Sequence, residues 1–102
     1  MNNKPVVWSE KSKKDLIAIK SFYDKRNQSS TYSNKLLKTF REAAVLIEKF
    51  PNAFVTTDYD QVKGFIILDY ILFYEVLEHH ILILTVWDSR RNPKQLESIL
   101  KG

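Results

Sequence analysis

The sequence predicts an α+β fold: a small antiparallel β-sheet packed against an amino-terminal helical hairpin, with a short helix at the carboxyl end. Three observations predict it. Helical periodicity runs through residues 10–25 and 31–49 with only a short polar connection between them. After Pro51 the chain turns to β-branched and aromatic runs joined by short turns, and Pro93 opens a last amphipathic stretch. Helices followed by closely connected strands favour antiparallel pairing with the hairpin on one sheet face. At 102 residues the chain has surface enough for one core, so a single domain over 1–102 is expected.

Each element follows from local chemistry. Val6, Val7 and Trp8 make residues 4–8 a first strand, and Ser9 is a natural helix N-cap because its hydroxyl oxygen accepts an orphan backbone N–H. In the helix over 10–25, Leu16, Ile19, Phe22 and Tyr23 recur on one face, while Lys11, Lys14, Asp15 and Lys25 are expected to face water. Residues 26–31 are polar and form the loop. The second helix, 31–49, carries the stripe Tyr32, Leu36, Phe40, Ala43, Ala44, Ile47 and Phe50, with Ser30 or Thr31 as its cap. Pro51 ends it. Residues 54–57 and 62–68 read as strands around a turn at 58–61, with Asp69 as a short connection or bulge. The strongest strands are 70–77 and 81–87, joined at Glu78-His79-His80. Leu96, Ile99 and Leu100 give the final helix a small apolar face.

The strands carry a further implication. Ile66-Ile67-Leu68, Ile71-Leu72-Phe73 and Ile81-Leu82-Ile83-Leu84 lack polar alternation, so apolar side chains emerge on both sides of the sheet. One helical hairpin covers one side. The other requires the terminal helix, a loop or a partner chain.

Composition excludes several classes. The absence of Cys removes disulfides, thiolate metal sites and cysteine nucleophiles, and two isolated glycines, Gly64 and Gly102, cannot build a glycine-rich phosphate loop. His79-His80 and Asp58-Tyr59-Asp60 read as solvated turns rather than metal sites, so neither metal nor cofactor is expected. The apolar run 81–87 is about a third of a membrane span and no targeting segment is visible, which makes a cytoplasmic protein without membrane association the expectation. The net charge of +4 is unevenly placed: residues 1–51 hold eleven Lys/Arg against five Asp/Glu, and residues 52–102 hold five against seven. At Asp88-Ser89-Arg90-Arg91-Asn92-Pro93, two guanidiniums follow the last strand. They either grip phosphate in a bidentate fashion or are spent on salt bridges, for instance with Asp88 or with acidic groups on the helices.

In order along the chain, Val7-Trp8-Ser9, Lys14-Asp15-Leu16, Phe40-Arg41, Phe50-Pro51, Phe73-Tyr74-Glu75-Val76, Ile81-Leu82-Ile83-Leu84 and Trp87-Asp88-Ser89-Arg90-Arg91-Asn92-Pro93 resemble the RelE/ParE toxins. These are the toxin halves of bacterial type II toxin–antitoxin modules, often described as plasmid stabilisation proteins. The resemblance implies the fold reached above and a growth inhibitor silenced by a co-encoded antitoxin, whose flexible segment covers exposed apolar surface. The expected antitoxin contacts are Leu72, Tyr74, Leu82 and Leu84, or their neighbours on the opposite face, with Leu96, Ile99 and Leu100; without antitoxin, a homodimer could cover the same face. One branch of the family cleaves messenger RNA on the ribosome with clustered basic residues; the ParE-like branch poisons DNA gyrase and lacks that cluster. Here Tyr70-Ile71-Leu72 stands where the nuclease arginine is expected, the preceding lysines are reduced to Lys63, and Glu97 stands where an aromatic or histidine would assist. The resemblance therefore favours a ParE-like toxin that binds a protein target such as gyrase through Arg90, Arg91 and Asn92. The alternatives are a ribosome-dependent endoribonuclease with Arg90, Arg91 and Lys63 on the scissile phosphate, and an inactive member that only binds.

Overall fold

A computed structural model describes residues 4–101; the two ends of the domain read over 1–102, residues 1–3 and 102, lie outside the described residues. The elements are β1 (Val6–Trp8), α1 (Glu10–Asn27), α2 (Thr31–Lys49), β2 (Val55–Thr56), β3 (Val62–Ile67), β4 (Tyr70–Val76), β5 (Ile81–Asp88) and α3 (Pro93–Lys101). The strands form one sheet in the order β1-β5-β4-β3-β2. Pairing is antiparallel from β2 to β5, while β1 joins β5 in parallel, Val6 opposite Ile81 and Trp8 opposite Ile83.

Local chemistry sets the helix ends. Ser9 is extended (φ −66°, ψ 163°), and its hydroxyl oxygen accepts from the Ser12 N–H at 3.0 Å while donating to the Leu84 carbonyl at 2.9 Å. Gln28 closes α1 in the left-handed conformation, its N–H donating to the Asp24 carbonyl. At the start of α2, Ser30 occupies the cap position without a side-chain cap bond, and the helix ends at Phe50 before Pro51.

The hairpin packs on one sheet face. Leu36, Phe40, Ala43, Ala44 and Ile47 of α2 and Tyr23 of α1 meet Ile67, Tyr70, Leu72, Tyr74, Ile81, Ile83 and Val86 in the main core. The stripe expected for α2 is buried in its middle, but Tyr32 and Phe50, at its ends, are exposed because the sheet no longer lies beneath them. Phe22 is also turned outward, 55% exposed, and meets Tyr23 edge-on at 5.0 Å.

Asp15 corrects a second expectation. It does not face water: one carboxylate oxygen accepts from Thr85 Oγ1 at 2.6 Å and from the Val86 N–H at 2.9 Å, and the other pairs with Lys11. The reason lies in β5. Phe73 pairs with Thr85 and Tyr74 with Ile83, so Leu84 is an extra, unpaired residue and the bulge falls here, while Asp69 lies in the short connection between β3 and β4, one of the two roles expected for it. Beyond the bulge β1 no longer borders β5, and the side chains of Ser9 and Asp15 take the backbone groups left over.

The second sheet face is roofed in part by the chain itself. Leu96, Ile99 and Leu100 of α3, with Tyr59, pack against a cluster of Val62, Phe73 and Trp87 flanked by Ile71 and Leu84. Gly64 pairs with Phe73 in this cluster, and a Cβ at residue 64 would come within 3.1 Å of Ile71 Cγ2. Toward the β3–β4 turn the roof ends: Ile66 is 62% exposed and Leu68 71%, the latter at φ 53°.

Candidate functional site

The end of β5 and the loop into α3 stand beside α1, and a cleft of about 210 Å³ lies between them. Ala18, Ile19, Phe22, Tyr70 and Val86 supply its apolar surface, and Asp15, Asp88, Arg90 and Arg91 its polar one. The β3–β4 hairpin braces the loop: Ser89 donates from both its N–H and its hydroxyl to the Asp69 carbonyl, each at 2.8 Å.

The two arginines have different fates. Arg90 forms a bidentate pair with Asp88, Nε to Oδ1 at 2.9 Å and Nη2 to Oδ2 at 2.8 Å, and its N–H also reaches Oδ1 at 2.9 Å. Asp69 stands 3.8 Å from its Nη1. Arg90 hydrogen bonding holds the Asp88 carboxyl below its usual range, and the same pair makes the guanidinium still harder to deprotonate. Arg90 therefore fixes the loop and carries little uncompensated charge. Arg91 lies over the Trp87 ring, 4.8 Å from its centre, and donates to Gln95 Oε1 at 2.9 Å. Among the described residues no carboxylate pairs with it, so it presents the site's uncompensated positive charge. Asn92 is exposed, and its side-chain oxygen accepts the Lys94 N–H at 3.0 Å in the first turn of α3.

Lys63 is placed elsewhere. It pairs with Tyr74, whose partner on β5 is Ile83, whereas Asp88 pairs with Tyr70 four residues along β4. That offset is about 13 Å along the strands, with two further strand spacings across the sheet. Lys63 lines a different depression with Thr57, Asp58 and Asp60. The loop arginines and Lys63 do not converge on one phosphate-sized position.

The register also fixes which strand residues face which way. Leu72 and Tyr74 belong to the hairpin-facing core and are wholly buried; Tyr74 donates to the Pro51 carbonyl at 2.8 Å, and burial pushes its phenol up to about 12. Ile71 and Phe73 are their neighbours on the opposite face. Leu82 and Leu84 are half-buried, and Leu84 joins Leu96, Ile99 and Leu100 in the α3 cluster. His79 is exposed in the β4–β5 turn beside Glu78.

Sequence reasoning missed two contributors to the cleft, Phe22 and Tyr70. Tyr70 donates to the Tyr23 hydroxyl at 3.3 Å, and burial, reinforced by that contact, raises its phenol well above the usual value. Phe22 fits the inward periodicity of α1 as well as Ile19 does, yet it stands exposed at the cleft beside Tyr70 and Val86 while its neighbour Tyr23 takes the buried position. No described helix is long and apolar enough to cross a membrane.

Comparison with known proteins places these features. Residues 6–93 match the family model described as "ParE toxin of type II toxin-antitoxin system, parDE". Among solved structures, a chain of a chromosomal ParDE TA system from P. aeruginosa superposes with a TM-score of 0.75 at 18% identity, covering 82% of this chain and 94% of that one. That likeness is one of fold. No curated protein matches the sequence.

Proposed function

The chain belongs to the ParE toxin family of type II toxin–antitoxin systems, and from that premise we propose that it arrests growth by binding a protein target, DNA gyrase in the ParE-like reading, and is neutralised by a co-encoded antitoxin. The observation that carries the choice of a protein target is the dispersal of the basic residues. RNA cleavage by phosphate polarisation needs cations converging on one group and a base that is unprotonated at neutral pH. Here Arg90 is tied to Asp88, Lys63 is far off in the sheet, and arginine cannot act as the base. An apolar cleft with one open guanidinium at its rim suits a protein surface better. Arg91, Asn92 and the exposed Phe22 are the residues assigned to target contact, and Arg90 is the positioning residue.

The test is conditional expression of the chain alone and with its antitoxin, scoring growth, plasmid supercoiling and message integrity together. Growth arrest with disturbed supercoiling is expected, relieved by the antitoxin. With purified protein, Arg91→Ala should raise the concentration for half-inhibition of gyrase about tenfold, as for loss of a central interface arginine, with an unchanged melting temperature. Cutting of ribosome-bound message with supercoiling intact would assign the endoribonuclease reading instead; antitoxin binding with neither effect would leave a binding module.

A further inference from the structure

The side that α1 turns to the Arg91 cleft is a helical series, Asp15, Ala18, Ile19 and Phe22, spaced by three and four, so one small side chain stands among larger ones. Ala18 is exposed and contributes only a methyl group, which leaves a notch whose other wall is Tyr70 and Val86 of the sheet, both buried. Phe22, 55% exposed, keeps most of its ring free beside it. A cavity of about 150 Å³ admits a benzene ring, whereas drug-sized ligands occupy about 300 Å³ or more. At about 210 Å³ the cleft matches one ring-sized side chain and is too small for a nucleotide or a cofactor. With two aromatic rings in its lining, it offers a further ring the edge-to-face and offset contacts that aromatic pairs prefer.

The charge at the cleft is equally selective. Two carboxylates line it and both are spent, Asp15 on Lys11, Thr85 and the Val86 N–H, and Asp88 on Arg90. They would repel a phosphate chain but tolerate one negative charge placed at Arg91. That guanidinium is held over the Trp87 ring with Nη2 on Gln95, and among the described residues its other N–H groups have no partner. A single carboxylate completes it. We propose that the cleft takes one aromatic side chain of the target protein, with a neighbouring target carboxylate on Arg91. This assignment rests on the protein-target reading and gives the recognised element a chemistry, a ring beside an acid.

The full-length chain, followed by its amide NMR signals, is titrated with N-acetylphenylalanine, which carries both a ring and a carboxylate. The comparators are its uncharged amide, N-acetylalanine without the ring, and the cationic phenylalaninamide. The acid is expected to shift Ala18, Ile19, Phe22, Val86 and Arg91 with a dissociation constant on the order of 1 mM, the affinity open to so few atoms. Its amide should bind about fivefold more weakly, and N-acetylalanine should leave these residues unmoved. Ala18→Phe, which brings its own ring into the notch, should abolish the shifts, and Arg91→Ala should erase the advantage of the acid; circular dichroism confirms that each variant folds. Should Ala18→Phe unfold, Phe22→Ala takes its place and should weaken the acid about fivefold. No shift at about 10 mM, equal binding of acid and amide, preference for phenylalaninamide, or unchanged binding in the notch variant overturns the assignment. So does a single-stranded oligonucleotide that shifts these residues where the acid does not. Gyrase inhibition separates the cleft from the choice of target. Where the wild type inhibits, Ala18→Phe should raise the concentration for half-inhibition about tenfold, and wild-type potency there overturns the cleft while the target reading stands. Where the wild type leaves gyrase untouched, that target fails and the titration alone judges the cleft.

Discussion

Asp15 shows how much one carboxylate settles. It sits on a lysine-rich helix, with Lys11 one turn before it, and pattern alone assigns it to solvent. In the fold it satisfies the Val86 N–H and the Thr85 hydroxyl where the β5 bulge has left the ladder unpaired. Asp15→Ala strands both donors in a largely buried place and should cost about 2–3 kcal/mol, measured by urea unfolding. Asp15→Asn keeps an accepting oxygen and should cost clearly less. A role of this kind is illegible beforehand, since it depends on a contact seventy positions away and on a bulge that no residue type announces. The Arg90–Asp88 pair was legible as one of two outcomes, because a carboxylate two positions away makes local pairing available. Which arginine stayed open was not, since Trp87 and Gln95 set the placement of Arg91.

The existence and order of the helices and strands were readable because their periodicities are long and their stops explicit: Ser9 before α1, Pro51 after α2, Pro93 opening α3. The parallel docking of β1 on β5 was not, as three residues carry no mark of their partner. Nor was the inward face of each strand, because runs such as Ile81-Leu82-Ile83-Leu84 are apolar throughout and the bulge shifts their parity. The β3–β4 hairpin gives a prediction at this scale. Its turn holds Leu68 at φ 53°, a region costly for a side chain with a Cβ, and Leu68 is 71% exposed and gains little from packing. Leu68→Gly should therefore stabilise the fold by about 1 kcal/mol, seen as a higher denaturation midpoint at unchanged slope.

Taken whole, the molecule divides its ionisable groups by role. Burial raises the phenols of Tyr70 and Tyr74 in the core, the latter to about 12, while Asp24, Asp88 and Glu97 are held low chiefly by hydrogen bonds from Lys20, Arg90 and Lys101. A raised phenol binds its proton more tightly folded than unfolded, so that contribution is complete below pH about 10 and is lost as pH climbs toward 12. Depressed carboxyls act in the opposite direction, contributing above the unfolded carboxylate value and fading as acid titrates the folded form. Stability measured against pH should fall on the alkaline side, and Tyr74→Phe, which loses the bond to Pro51, should flatten that limb while lowering the plateau by about 1 kcal/mol.

The pairing of the first strand with the last has a consequence in time. β1 leaves the ribosome early, yet its only neighbour in the sheet is β5, and Ser9 and Asp15 wait for residues 84–86. Synthesis must therefore pass residues 84–86 before the scaffold beneath the Arg91 cleft closes, since contacts so distant in sequence cannot form piecemeal. Until residues 84–86 have emerged, the surface proposed for the target is not yet assembled, and the helical hairpin has only part of the sheet it packs on.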